Sequence, residues 1–418
     1  MPRYLFAALL LIALPTASTA ETPRTVAGEI AAAIEANYFD AGRAAAIADA
    51  VERQAAAGAY DAMTDPLDLA AALTEALQPH DGHFRVGVPD VSKGDDDKTL
   101  SSGTQMSFNE RLRRTGWGFA ETAILPGNLG LIDMTAFAHF DFGDADSAVR
   151  QTADSALALT AAADALIFDL RANGGGSPHM VGYLVSAFTG RDDIYNIFHA
   201  RDGTSSEAPA SPYAAPFDER PVFILTSGRT ASAAEAFAYT LQAAGLATVV
   251  GETSAGAANP GETFETPSGY SVFVATGSPR NPLTGTNWEG TGVVPDVAAP
   301  SSEALEMAQR LALRAVVDKG DGKRDTVWAL EALTASLPAI DGLDRYAGRY
   351  GDWNVRADAD RLLIKRGGRP ERTLVPLRDG LFYRADDPAI RYRFHTDGGA
   401  PAVELETAYG GRMQRRRS

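Results

Sequence analysis

Apolar residues near the start of the chain recur every three or four positions. Val26, Ile30 and Ile34 share one helical face, and the alanine-rich stretches at 44–56 and 67–77 keep the same period. A small helical domain is predicted over 26–77. It stops at Gln78-Pro79-His80-Asp81-Gly82, after which Phe84, Val86 and Val88 alternate as a half-buried strand does. Residues 92–103, with Asp95, Asp96 and Asp97 in a row, are expected as a solvated loop. From 128 to 317 the two periods alternate. Strands are predicted at 129–134, 165–170, 221–226 and 247–252, and helices at 144–162, 180–188 and 232–244, which gives an α/β core with crossover helices. The polar, proline-rich residues 201–220 are expected as an exposed loop. Beyond Lys319-Gly320-Asp321-Gly322-Lys323 short alternating segments take over, at 353–355, 362–364, 374–377, 392–394 and 403–405, each followed by glycine or aspartate turns. They predict a small C-terminal all-β module of barrel or sandwich type.

Composition narrows the chemistry. The chain has 418 residues, 45% of them hydrophobic, and a formal charge of −16, which excludes a backbone-neutralising nucleic-acid binder. It contains no cysteine, so disulfides, thiol nucleophiles and iron–sulfur ligation are excluded. Residues 1–20 combine Arg3, an apolar run at 5–14 and Ser18-Thr19-Ala20, the pattern of a cleaved export signal. The run is too short to span a bilayer. A periplasmic or secreted protein without a membrane anchor after cleavage is therefore expected, with domains at 1–20 (signal), 21–90 (helical), 104–320 (α/β) and 335–418 (β module).

Three segments could carry chemistry. In the first, a buried strand at 221–226 leads through a tight turn to Ser232 at the start of a helix, where free N–H groups and the helix dipole favour a developing oxyanion. Ser232-Ala233-Ala234-Glu235 is equally a capping box, and that segment alone does not separate nucleophile from cap. In the second, the strand at 165–170 ends in Gly174-Gly175-Gly176, which suits either an oxyanion hole or a plain tight turn. A dinucleotide loop fails because His179 stands where its third glycine belongs. The third is His83, one of six histidines, placed just after a turn at the mouth of a strand. His80 and His83 have no third ligand in sight, so no metal site is assigned.

Read together, the segments resemble the C-terminal-processing (tail-specific) serine peptidases. Four ordered motifs carry the likeness: Asp169-Leu170-Arg171-Ala172-Asn173-Gly174-Gly175-Gly176, Ser232-Ala233-Ala234-Glu235, Gly251-Glu252-Thr253-Ser254 and Gly292-Val293-Val294-Pro295-Asp296. The resemblance covers about residues 25–317. It implies an α/β core of the crotonase/ClpP-like ββα type, with the helical domain before it and the β module outside the likeness. It also implies Ser232 as nucleophile, with Ala233 and Gly175 or Gly176 as oxyanion donors. The chain departs from the processing proteases in two respects. Their lysine base falls at Ala257, with no lysine anywhere in 100–318, and no segment carries the signature of their PDZ module. The tricorn-like branch, with its retinoid-binding-protein-like relatives, fits better. It implies His83 as base and Glu289 as orienting carboxylate; Gly82 stands where that branch has a serine, so His83 is oriented by Glu289 directly, by a water or by Asp81.

The expectation is an exported serine peptidase acting on peptides or proteins, with no metal or organic cofactor. Two alternatives share the same residues. One is a non-catalytic module binding an apolar ligand or peptide; the other is a hydrolase of non-peptide esters or amides.

Overall fold

The computed structural model describes residues 22–88, 108–190, 193–217, 219–335, 342–396 and 401–418. The leader at 1–20 and the acidic loop at 92–103 lie outside the described residues. The rest falls into two compact units, drawn from 1–99 with 261–276 and from 100–260 with 277–418.

The first unit is built on helices α1 (Pro23–Asn37), α2 (Ala41–Ala56) and α3 (Pro66–Leu77). Side-chain oxygens of Thr22, Asp40 and Asp65 cap their N-termini, and proline opens α1 and α3, where no N–H is needed. Strand β1 (Arg85–Gly87) pairs antiparallel with β10 (Ser271–Ala275), which pairs with β9 (Gly261–Glu265). The hairpin gives Tyr270, Val272 and Val274 to the same apolar core as Ile30, Ile34, Leu73, Leu77 and Phe84.

In the second unit α4 (Phe108–Arg114) precedes a six-stranded sheet of order β12-β8-β7-β4-β3-β2, formed by β2 (Phe119–Leu125), β3 (Leu129–Met134), β4 (Ala165–Asp169), β7 (Val222–Thr226), β8 (Thr248–Gly251) and β12 (Val297–Ala298). All pairings are parallel except β2 with β3. Crossover helices α5 (Ala148–Leu159), α6 (Pro178–Val185) and α7 (Ala233–Ala243) share one core with Ile132, Leu166, Phe168, Ile224 and Val249. The alternate positions Leu131, Ile167, Phe223, Leu225 and Val250 belong to a second core with α8 (Ala304–Asp318) and α9 (Arg324–Thr334). Burial on both faces explains why these strands read as continuous apolar runs. The expected α/β core with N-terminal helices and a C-terminal antiparallel β module is therefore present. Residues 201–220 need correction as an exposed loop: β6 (Gly203–Glu207) pairs with β5 (Asn196–Ala200), which pairs with β11 (Gly277–Arg280). Its Gly-Thr-Ser-Ser-Glu sequence hid the strand, because an edge strand buries little and so carries no apolar alternation.

The C-terminal module is an antiparallel meander of eight strands: β13 (Gly348–Tyr350), β14 (Trp353–Asp358), β15 (Arg361–Arg366), β16 (Arg372–Arg378), β17 (Leu381–Arg384), β18 (Asp387–His395), β19 (Ala402–Thr407) and β20 (Arg412–Arg416). A bridge from Tyr350 to Arg417 joins its first and last strands into a barrel-like sheet around Tyr346, Trp353, Leu362, Phe382, Phe394 and Val403. The module is fixed to α9 by Arg391, which bonds Glu331 at 2.5 Å and lies 4.2 Å over the Trp328 ring.

Candidate active site

Strands β4 and β7 are parallel neighbours, so the loops leaving their C-terminal ends lie side by side, the usual place for a site in such a sheet. Side chains lock these loops together. The Thr230 hydroxyl donates to the Leu170 carbonyl at 2.8 Å, the Ser227 hydroxyl to the Arg171 carbonyl at 2.7 Å, and the Ala231 N–H to the Asn173 carbonyl at 3.1 Å.

Ser232 ends the second loop with φ 55° and ψ −121°, a left-handed backbone that L-residues other than glycine seldom adopt. Holding it costs about 1–3 kcal/mol, which the surroundings must supply. Glu235, fully buried, supplies much of it. One carboxylate oxygen accepts the N–H of Ser232 at 2.8 Å and that of Ala257 at 2.9 Å; the other accepts the Ser254 hydroxyl at 2.5 Å and the Gly256 N–H at 2.7 Å. Ser254 in turn accepts the Val293 N–H at 2.6 Å. The capping-box glutamate thus ties two of the other three motifs to the serine, through Ser254 and on to Val293, and Ala257, at the lysine position of the processing proteases, takes part through its backbone.

Gly175 and Gly176 have φ of 105° and 139°. A Cβ on Gly175 would stand 2.7 Å from the Cβ of Ser232, and one on Gly176 would stand 2.1 Å from the Phe137 carbonyl oxygen. Only glycine lets this loop lie against the serine. Phe137 donates its N–H to the Gly175 carbonyl at 2.9 Å and accepts the Ser177 N–H at 2.7 Å. Because a trans peptide is planar, the N–H of the Gly175–Gly176 peptide, which belongs to Gly176, points away from Phe137. The Gly175 N–H is committed to the side-chain oxygen of Asn173 at 2.9 Å. Asn173 is itself buried and anchored by its amide to the Met134 carbonyl at 2.9 Å. Glu289 accepts the N–H groups of Ala258 and Asn259 at 2.9 and 3.0 Å.

His83 belongs to the first unit. Asp81, almost fully buried, takes both the His83 backbone N–H and its ring Nδ1 at 2.9 Å, and the Tyr38 hydroxyl donates to the other Asp81 oxygen at 3.0 Å. Burial pushes the Asp81 carboxyl up, but its bonds from His83 and Tyr38 outweigh burial and hold it below the ordinary carboxylate range. An ionised partner at Nδ1 selects the tautomer with the proton there, leaving the lone pair on Nε2.

Residues 128–299 match the sequence model of Peptidase family S41. These residues are an S41 domain. Among solved structures, the chain is similar to a lipoprotein from Streptococcus agalactiae (16% identity, TM-score 0.47, covering 72% of this chain and 100% of that one). It is also similar to the photosystem II D1 C-terminal processing protease (14%, 0.44, 67% and 94%) and to the tricorn protease (13%, 0.42, 68% and 35%).

The S41 domain also contains a cavity of about 140 Å³ beside Ser232, walled by Pro178, Phe198, Ala236, Pro279 and Trp288 and including Tyr195, Asn196 and Glu207. Burial first, then the neighbouring Glu207 carboxylate, pushes the Tyr195 phenol well above its usual range. Sequence reasoning found none of these pocket residues. They come from α6, α7, β5 and the residue before it, β6, β11 and the loop before Glu289, and no local period links them. Asn173 and the wider reach of Glu235 were missed too, although both sit inside the quoted motifs. No helix among the described residues is long and apolar enough to cross a membrane.

Proposed function

We propose that the S41 domain is an active serine peptidase acting on peptide or protein substrates, with Ser232 as nucleophile. The observation that carries this reading is the strained Ser232 backbone, held at a helix N-terminus by a buried carboxylate, against a glycine loop and beside an apolar cavity. A serine that served only as a cap would have no need of positive φ. The Ser232 hydroxyl attacks the substrate carbonyl while His83 Nε2 takes its proton, and Asp81 holds the imidazole and balances the imidazolium that forms. The N–H groups of Ala233 and Gly176 receive the oxyanion; Gly175, whose N–H is committed to Asn173, shapes the loop. Collapse expels the amine with the proton returned by His83, and water then releases the acyl group by the same route. Glu289 fixes the turn at 258–259 and adds negative charge to the site.

Incubating the chain with a fluorophosphonate probe tests the assignment. Labelling at Ser232, lost in Ser232→Ala, is expected; a folded chain that takes no label would support a ligand-binding module instead. His83→Ala should lower kcat by several orders of magnitude, Glu289→Gln by less. The base must be neutral to take the serine proton, so kcat/KM should show an acid limb that depends on His83. Retention of that limb in His83→Ala would assign the base elsewhere. Export is proposed on the leader alone, and a mature N-terminus at Glu21 is its check.

A further inference from the structure

The cavity beside Ser232 is apolar along its walls but contains one carboxylate. Helix α7 contributes Ala233, Ala236 and Thr240 to it, next to the cap residue Ser232, so it follows the helix for about 10 Å at 1.5 Å per residue. Glu207 enters from β6. Its Oε2 accepts the Asn196 side-chain amide at 2.8 Å, a neutral donor. No lysine, arginine or histidine lines the cavity, and among the described residues Glu207 forms no ion pair. Glu207 is half-buried at the edge of this apolar cavity, and a ligand that brings a cation to its carboxylate gains a charge-assisted hydrogen bond that the cavity lining does not supply.

We infer that this cavity is a specificity pocket for a substrate side chain with an apolar stem and a cationic tip, lysine or arginine, and that Glu207 selects the tip. The inference rests on Ser232 as the nucleophile. The methylene stem lies along Phe198, Ala236, Pro279 and Trp288, as long basic side chains do on apolar surface, and the charge meets Glu207. A purely apolar side chain would fill the walls but leave the carboxylate with only its neutral donor. An acidic one would be repelled.

Peptides differing only in the residue on the carbonyl side of the cleaved bond, Lys, Met or Glu, test this on the full chain. Met matches the lysine stem without its charge. The expected kcat/KM for Lys exceeds that for Met by about tenfold or more, with Glu lowest. Glu207→Gln should bring the Lys to Met ratio close to one, and Glu207→Asp should keep part of the preference. Wild-type protein that cleaves the Met peptide as well as the Lys peptide, or a ratio unmoved in Glu207→Gln, overturns the inference. The same ratio can be read from calorimetric binding of the peptides to Ser232→Ala, so it does not depend on turnover. Ser232 labelled by fluorophosphonate with a flat ratio defeats the pocket alone; cleavage that persists in Ser232→Ala defeats the nucleophile.

Discussion

Two carboxylates in the second unit do opposite work. Glu235 is fully buried and accepts four hydrogen bonds from neutral donors, three of them backbone N–H groups on two separate segments. Asp352, in the β module, is exposed between Arg366 at 2.8 Å and Arg415 at 3.0 Å, two cations that hold its carboxyl down to about 2. Around the serine, loops with no regular structure must hold one geometry against strain, and a buried acceptor bonded to their backbones does that. The meander already holds its shape through ladder bonds and an aromatic core, and its ion pairs decorate a surface where water competes for the same charges.

Removing the two kinds of carboxylate should separate them sharply. The largest effect is expected from Glu235→Ala, which leaves buried N–H groups without an acceptor. A loss of about 3–5 kcal/mol in denaturant melts, with activity abolished, is expected, and a variant that melts normally would mean the loops hold themselves. Asp81→Asn should come next. Asparagine no longer stabilises the imidazolium or dictates the working tautomer, so kcat should fall by about two to four orders of magnitude with KM little changed. Because its carboxyl is held below the ordinary range, the contribution of Asp81 to stability is present above about pH 4 and lost as the pH falls below it. Asp81→Asn should flatten that acid slope.

Ser232→Gly sharpens the comparison from the other side. Glycine accepts φ 55° without strain, so activity should vanish while stability rises by about 1 kcal/mol. A less stable glycine variant would show that the serine backbone is relaxed. The smallest effect belongs to Asp352→Asn. Its melting curve at neutral pH and high salt should overlay that of the wild type. Only the shallow loss of stability as pH falls from about 4 toward 2 should disappear, since a depressed carboxyl stabilises the fold above its unfolded pKa and ceases to do so as it protonates.

The strands of the parallel sheet were legible because each is buried on both faces, and Val222–Thr226 can be read in no other way. The Ser232 helix and the glycine loop were legible for a related reason: turn chemistry and small residues have to sit at fixed places for the chain to pass. The pocket was not. Tyr195, Phe198, Glu207 and Trp288 meet only through tertiary pairing of an edge hairpin whose sequence is polar. The hold of Asp81 on His83 stood among the alternatives but could not be chosen, because a two-residue spacing in a turn fixes no side-chain direction. Glu235 was read as a cap since its bonds to Ser254, Gly256 and Ala257 cross about twenty positions, beyond any local pattern.

The return of 261–276 to the N-terminal helices has a consequence for synthesis. Ile30, Ile34, Leu73 and Phe84 emerge early, yet Tyr270, Val272 and Val274, which cover them, follow only after roughly 180 more residues. At 5–20 residues per second that is a delay of roughly 10–35 s, during which the helices carry an uncovered apolar face on a growing chain. An interval of that length gives a holding chaperone time to engage the nascent helices before their own hairpin arrives.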